Sequence, residues 1–321
     1  AGIVASGCGS SADTAVADDA PFQRGGEIVV GMDQEPQCLN TLIQCGGTVA
    51  ARMIWDAMFE GMLAIDAEGN YAPQIGEYVP TAENGKVVVK PDGTMEVTSK
   101  IRSAARWSDG TPITCADVRF RWTTIMDDRW TIVSRKGWDL ITDVRCPDRL
   151  TVVHVFEETY APYLTYVGAA PLPAHILAGK DFNSYFNFSI PIASGPFAFE
   201  RWDRSVTVVL KRNDNYWNAG ADDKPYLDGM RYVFVADTNT LKIQLRTGEV
   251  DVINPPPDST LSEELATFPR STFEVEPSTS WEHIAFNNAK PPFNDINVRK
   301  AVAHSIDRDE ITDIVLRGQV K

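Results

Sequence analysis

Histidines, cysteines and clustered carboxylates are the residues of this chain best suited to chemistry, and their spacing limits what they could do. The histidines are His154, His175, His283 and His304. No two stand four apart, so no helix can present paired imidazoles to zinc in the H-E-x-x-H manner. His154 alternates within a strand-like run and His304 falls on an amphipathic helical pattern, so both read as structural. No G-x-S-x-G elbow, G-x-G-x-x-G or G-x-x-x-x-G-K-[ST] loop occurs. Ser108 and Asp109 in "WSDGTP" read as turn chemistry. Asp127-Asp128 and Asp222-Asp223 are sequence neighbours, which do not face each other across a cleft, so they read as solvated. The compact patterns thus name no catalytic residue, no metal set and no cofactor. A site gathered from distant residues, as in an extracytoplasmic hydrolase, is the enzyme reading left open.

The cysteines carry more information. They are Cys8, Cys38, Cys45, Cys115 and Cys146, and setting Cys8 aside leaves an even four. Cys38 and Cys45 share a Gly-containing loop and could close a small ring, while Cys115 and Cys146 could staple a longer one. By chain entropy such bridges would contribute about 2.5 and about 3.7 kcal/mol. Four buried free thiols are the alternative. No spacing is C-x-x-C, which argues against structural zinc.

At 321 residues and 35.4 kDa the chain is long enough for two or three domains. Its net charge of -14 argues against nucleic acid and anionic membrane surfaces as partners, since phosphate contacts need clustered Lys and Arg. No apolar run reaches the roughly 18 to 20 residues needed to span a bilayer. The first 22 residues, "AGIVASGCGSSADTAVADDAPF", read as a Gly/Ser/Ala/Asp tether. Its Ala5-Ser6-Gly7-Cys8 step resembles the lipobox of bacterial lipoproteins, with Ala5 where Leu or Val is usual. That resemblance implies a lipid on Cys8 and a place on the outer face of the cytoplasmic membrane.

Past the tether, residues 25–33 read as a buried strand. Residues 48–61 read as a helix capped by Thr48, aligning Val49, Met53 and Ala57 and ending at Gly61. "TMEVTSKIR" alternates Met95, Val97, Ser99 and Ile101 inward. A Thr114-x-x-Asp117 box opens a helix that buries Val118, Trp122 and Ile125, and residues 150–156 form another strand. Residues 160–188 read as short helices and loops. Residues 206–217 read as a strand ending in an Asn/Asp turn. Residues 229–253 run strand, helix, strand, the pattern of an α/β crossover, with Gly248 stopping the helix. Residues 279–288 read as a strand, and Asp307 with Glu310 caps a last helix through Leu316, closed by Gly318.

Blocks of this kind, in this order, resemble a known family. "GGEIVVGMDQEPQCLNTL", "MFEGMLAIDAEGNYAPQIGE", "IRSAARWSDGTPITCADVRFRW", "PDRLTVVHVFEETYAPYL", "ASGPFAFERWDRSVTVVLKRNDNYW", "PYLDGMRYVFVADTNTLKIQLRTGEVDV" and "FNNAKPPFNDINVRKAVAHSIDRDEI" are similar to the oligopeptide- and dipeptide-binding proteins of bacterial ABC importers. The resemblance implies an α/β, periplasmic-binding-protein-like two-lobed clamp with an extra α/β domain inserted early. Residues 1–22 would be the tether, 23–62 and 190–280 lobe one, 63–189 the insert, and 281–321 the start of a second lobe. Most of that second lobe is expected to be absent, as in a C-terminally truncated chain. The implied function is capture of a peptide and delivery to ABC permease subunits, by a monomer with no cofactor. An oligosaccharide or a metal chelate are the alternative solutes, and a surface lipoprotein that keeps the fold without binding is a third class. Carried over by position, the solute contacts fall on Gly47, Thr48 and Val49, on Ala193 and Ser194, and on Thr279, Ser280, Trp281 and His283.

Overall fold

A computed structural model describes residues 2–7, 24–220, 224–253, 264–265, 267–268, 271–276 and 284–315. They fall into two compact units. One contains Gln34–Tyr232 and the residues just before Ile28; the other contains Ile28–Asp33 and the residues from Val233 on, together with 2–7.

The smaller unit is built on strands β1 (Gly2–Gly7), β2 (Glu27–Met32), β12 (Val252–Ile253) and β13 (Ser271–Glu276). Strand β12 runs parallel to β2, and β1 runs antiparallel to both β12 and β13. The sequence places residues 2–7 in an unstructured tether. They form a strand instead: the apolar opening contains adjacent β-branched Ile3 and Val4, suited to a strand paired on both sides, here by β12 and β13. Helix α5 (Thr238–Thr247) crosses to β12. Asp237 caps it by accepting the Thr240 N–H at 2.8 Å, and Gly248 ends it at φ 80°, where a Cβ would be strained. Its Leu241 and Leu245 pack with Val29, Val250, Ile253 and Leu265. Helix α6 (Ile296–Ser305) is capped by Asp295, and Asp307 accepts the Glu310 N–H at 2.9 Å.

In the larger unit, helix α1 (Val49–Met58) is followed by the β3–β4 hairpin (Leu63–Ile65, Tyr71–Pro73). An antiparallel sheet then forms in the order β5-β6-β8-β7 from Val87–Val89, Met95–Lys100, Thr151–Phe156 and Ile141–Arg145. The alternation read from β6 is realised, with Met95, Val97 and Ser99 buried. Helix α2 (Cys115–Met126) packs on this sheet. The Cys115–Cys146 disulfide, Cα atoms 5.7 Å apart, joins its first turn to the residue after β7. The Cys38–Cys45 disulfide, Cα atoms 5.5 Å apart, closes the loop before α1. Short helices α3 (Tyr163–Val167) and α4 (Ala174–Leu177) follow, then the β9–β10 pair (Phe197–Asp203, Thr207–Arg212) and β11 (Gly229–Phe234).

The face of α1 differs from the line Val49–Met53–Ala57. Its buried residues are Ala50, Ala51, Ile54, Trp55 and Met58, and Val49 is 69% exposed. Trp55 decides this. It stacks on Phe59 with ring centroids 4.0 Å apart, and burying two large aromatics outweighs burying Val49 and Ala57.

Candidate functional site

Gly47, Thr48 and Val49 lie together at the open start of α1, immediately after the Cys38–Cys45 ring. The Thr48 hydroxyl accepts the Ala51 N–H at 3.2 Å and its carbonyl accepts the Arg52 N–H at 3.0 Å. Gly47 and Val49 are exposed. A small residue, a capping threonine and an uncovered valine thus present backbone and apolar surface to solvent.

Ala193 and Ser194 are placed differently, each at 0% exposure. The Ala193 N–H donates to the Ser108 hydroxyl at 3.0 Å, and the Ser108 N–H donates to the Ala193 carbonyl at 2.8 Å. The Ser194 and Gly195 N–H groups both donate to the Met58 carbonyl, at 3.0 and 2.8 Å. A Cβ on Gly195 would sit 2.9 Å from the Met58 carbonyl carbon, so only glycine permits this approach. The Ser194 hydroxyl accepts the Glu60 N–H at 3.0 Å. This turn is joined to the end of α1.

Glu60 is the charged centre of that junction. Its carboxylate accepts from the Tyr216 hydroxyl and, at 2.7 Å, from the Trp217 indole N–H. Burial pushes the Glu60 carboxyl above the usual carboxylate range, against the opposing hydrogen bonds from Tyr216, Trp217 and Gln74. Burial and the Glu60 charge together push the Tyr216 phenol up. Asn213 donates to the Gly195 carbonyl at 2.8 Å and Asn215 to the Ser108 carbonyl at 2.7 Å. The end of α1, the Ser108 turn, the 193–196 turn and the 213–217 segment are therefore tied into one polar seam. None of Glu60, Asn213, Tyr216 or Trp217 was singled out from sequence. The available signal was a lone carboxylate inside the apolar run "MFEGML".

The hydrogen bonds of the seam join the chain's own turns to one another. Among the described residues no histidine shares a hydrogen bond with Ser108, and His175 bonds Asp109 at 2.9 Å instead. Although burial opposes it, hydrogen bonds from Thr111 and His175 hold the Asp109 carboxyl below its ordinary value. That pair secures the Asp109-Gly110 turn. Asp127 is clamped by Arg129, and the Asp128 side chain is 99% exposed. No group of three His, Cys, Asp or Glu suited to a metal occurs among the described residues. Thr279, Ser280, Trp281, His283, Cys8 and the Asp222-Asp223 pair lie outside the described residues, as do Leu316 and Gly318.

The α/β architecture, with the start of α1 open to solvent, is that of the periplasmic-binding-protein class. The chain belongs to the bacterial extracellular solute-binding proteins, family 5, whose middle region matches residues 82–321. The oligopeptide-binding protein AppA of Bacillus subtilis (strain 168) is 26% identical over 321 residues, covering 98% of this chain and 56% of its own length. Protein XP55 of Streptomyces lividans is 25% identical over 312 residues, 96% of this chain and 53% of its own. The solved structure of B. subtilis AppA with a nonapeptide superposes with a TM-score of 0.77 at 24% identity, over 92% of this chain and 56% of that one. A periplasmic EDTA-binding protein, EppA, superposes with a TM-score of 0.76 at 21% identity, over 94% and 57%. These likenesses establish the α/β clamp fold. The chain spans about half the length of the curated relatives it matches. Among the described residues no helix is long and apolar enough to cross a membrane.

Proposed function

We propose that this chain is part of the solute receptor of an ABC import system, which captures peptides outside the cell and hands them to permease subunits in the membrane. The family match over residues 82–321 carries the reading. The relative named as oligopeptide-binding supports peptides as the solute class, and the two disulfides suit an oxidising, extracytoplasmic setting. Binding without covalent chemistry follows, because closure of a clamp on its solute needs only differential contacts between open and closed states. In this reading Gly47, Thr48 and Val49 offer backbone groups and an apolar edge to the solute. Thr279, Ser280, Trp281 and His283, outside the described residues, are the further solute contacts that the family resemblance implies, with Trp281 offering a flat apolar face. Ala193 and Ser194 act from behind by holding the end of α1. A lipid on Cys8 would keep the receptor, a monomer, beside its permease.

The protein isolated from its host cells provides the test. Its bound small molecules, released by denaturation, are sequenced by tandem mass spectrometry. Short peptides are expected in amounts comparable to the protein. A sugar or a metal chelate in that amount, with no peptides, would overturn the reading.

A further inference from the structure

Arg121, on α2, is a cation without an acidic partner among the described residues. Its Nε is sealed from solvent and has no hydrogen-bond partner, and Nη1 donates to the Ala170 carbonyl at 2.9 Å. Its guanidinium carbon lies 5.4 Å from the centre of the Trp138 ring, which in turn meets Tyr166 edge-on at 5.3 Å. No carboxylate pairs with it among the described residues. Arg52 on α1, which acts on it as a like charge, is itself paired with Asp56 at 2.7 Å. Burial first, and Arg52 second, push the Arg121 guanidinium down to about 10.

A structural arginine in this same unit looks different. Arg135 donates to the carbonyls of Ile125, Asp127 and Trp130, closing the end of α2. Arg121 has one carbonyl for a fork of five donors. An uncompensated cation in a sheltered site is destabilising, and a planar fork is the shape that grips a carboxylate by two bonds. Part of the residue remains open, since Arg121 as a whole is half-buried.

We propose that Arg121, with Trp138 as its floor, is a carboxylate-binding subsite, so that the solute this chain recognises bears an anionic group. The proposal rests on the solute-receptor reading and narrows it to carboxylate-bearing solutes.

The 321-residue chain is tested against Arg121→Met with two probes at matched ionic strength: succinate, and a mixture of tripeptides without acidic side chains, supplied as free acids and as C-terminal amides. Tryptophan emission and melting temperature are the readouts. Succinate is expected to shift both in the parent chain, with affinity lost about tenfold or more in the variant, the loss expected of a charged hydrogen bond. Ligand-free Arg121→Met is expected to melt above the parent, because an unpaired buried charge is gone. No succinate effect on the parent, an equal effect on the variant, or a ligand-free variant that melts lower would each overturn the subsite. Binding of free-acid and amidated tripeptides with equal affinity would overturn it while leaving peptide capture intact. A succinate effect that needs Arg121, with no binding of any tripeptide, would uphold the subsite and count against peptides.

Discussion

The indole N–H of Trp217 donates to Glu60 Oε2 at 2.7 Å across 157 positions of sequence. Glu60 Oε1 accepts from Tyr216, so one buried carboxylate satisfies two aromatic donors and holds the 213–217 segment against the end of α1. Glu60→Gln would keep an acceptor for one donor and turn an amide N–H₂ toward the other. A stability loss of about 1 to 3 kcal/mol at neutral pH is expected, since a buried donor is left unsatisfied. Urea unfolding of both forms measures it.

The same carboxyl gives a pH signature. Its native value is raised above that of the unfolded chain, so as pH falls through that window the native state takes up the proton first. Stability attributable to Glu60 therefore rises on acidification and is lost again as pH climbs past the raised native value. The gap between the parent and Glu60→Gln should widen as pH falls toward 4.5. A gap that narrows would show that the carboxylate, rather than the acid, is the form the fold prefers.

His154 works in the opposite direction. It is 1% exposed in β8, opposite Val97 and Val144, with no partner for Nδ1. Burial lowers it from 6.5 to about 4. The unfolded chain binds the proton first, so stability is intact above pH 6.5 and falls by about 3 kcal/mol as pH drops from there to 4. His154→Val should remove this acid sensitivity and, with no orphaned ring nitrogen, match the parent at pH 7. Melting temperatures across that range decide it.

The local elements were legible because their causes are local. The alternation of Met95, Val97 and Ser99 names the buried face of β6 without reference to any other strand, and Asp237 and Gly248 mark the ends of α5 by side-chain and backbone chemistry. Cysteine parity reached further, because a bridge is specified by type alone. The face of α1 was misjudged because Val49 and Trp55 compete, and the outcome depends on what Phe59 finds to stack against. The Glu60 seam was invisible for a related reason: its donors come from residues 216 and 217, and a lone carboxylate in an apolar run states a need without naming its partner. Ser194 carries a role that no local pattern states: its hydroxyl accepts the Glu60 N–H from 134 positions away.

The two disulfides should differ in their contribution. Cys38–Cys45 spans 7 positions and Cys115–Cys146 spans 31. Loop-closure entropy assigns about 2.5 kcal/mol to the first and about 3.7 to the second. The paired replacement Cys115→Ser/Cys146→Ser should therefore lower unfolding free energy more than Cys38→Ser/Cys45→Ser. The reverse order would show that the small ring acts on the native state, by fixing the start of α1.

Helix caps separate a buried partner from an exposed one. Asp117 is 5% exposed and accepts three times, from the Thr114 N–H at 2.8 Å, the Thr114 hydroxyl at 3.0 Å and the Ala174 N–H at 3.0 Å. It therefore joins the start of α2 to that of α4. Asp237 caps α5 from solvent, accepting from the Thr240 N–H and hydroxyl at 2.8 and 2.7 Å. Replacing an exposed cap by alanine exposes its donors to water, at a loss of about 1 kcal/mol. Replacing Asp117 removes the acceptor of the part-buried Ala174 and Thr114 N–H groups at once, so about 2 to 3 kcal/mol is expected for Asp117→Ala. The two variants are compared by denaturant unfolding with amide exchange at Ala174. Faster exchange there in Asp117→Ala alone is the specific expectation, because only that carboxylate reaches a second helix. Equal losses in the two variants would mean that Asp117 acts as a cap and nothing more.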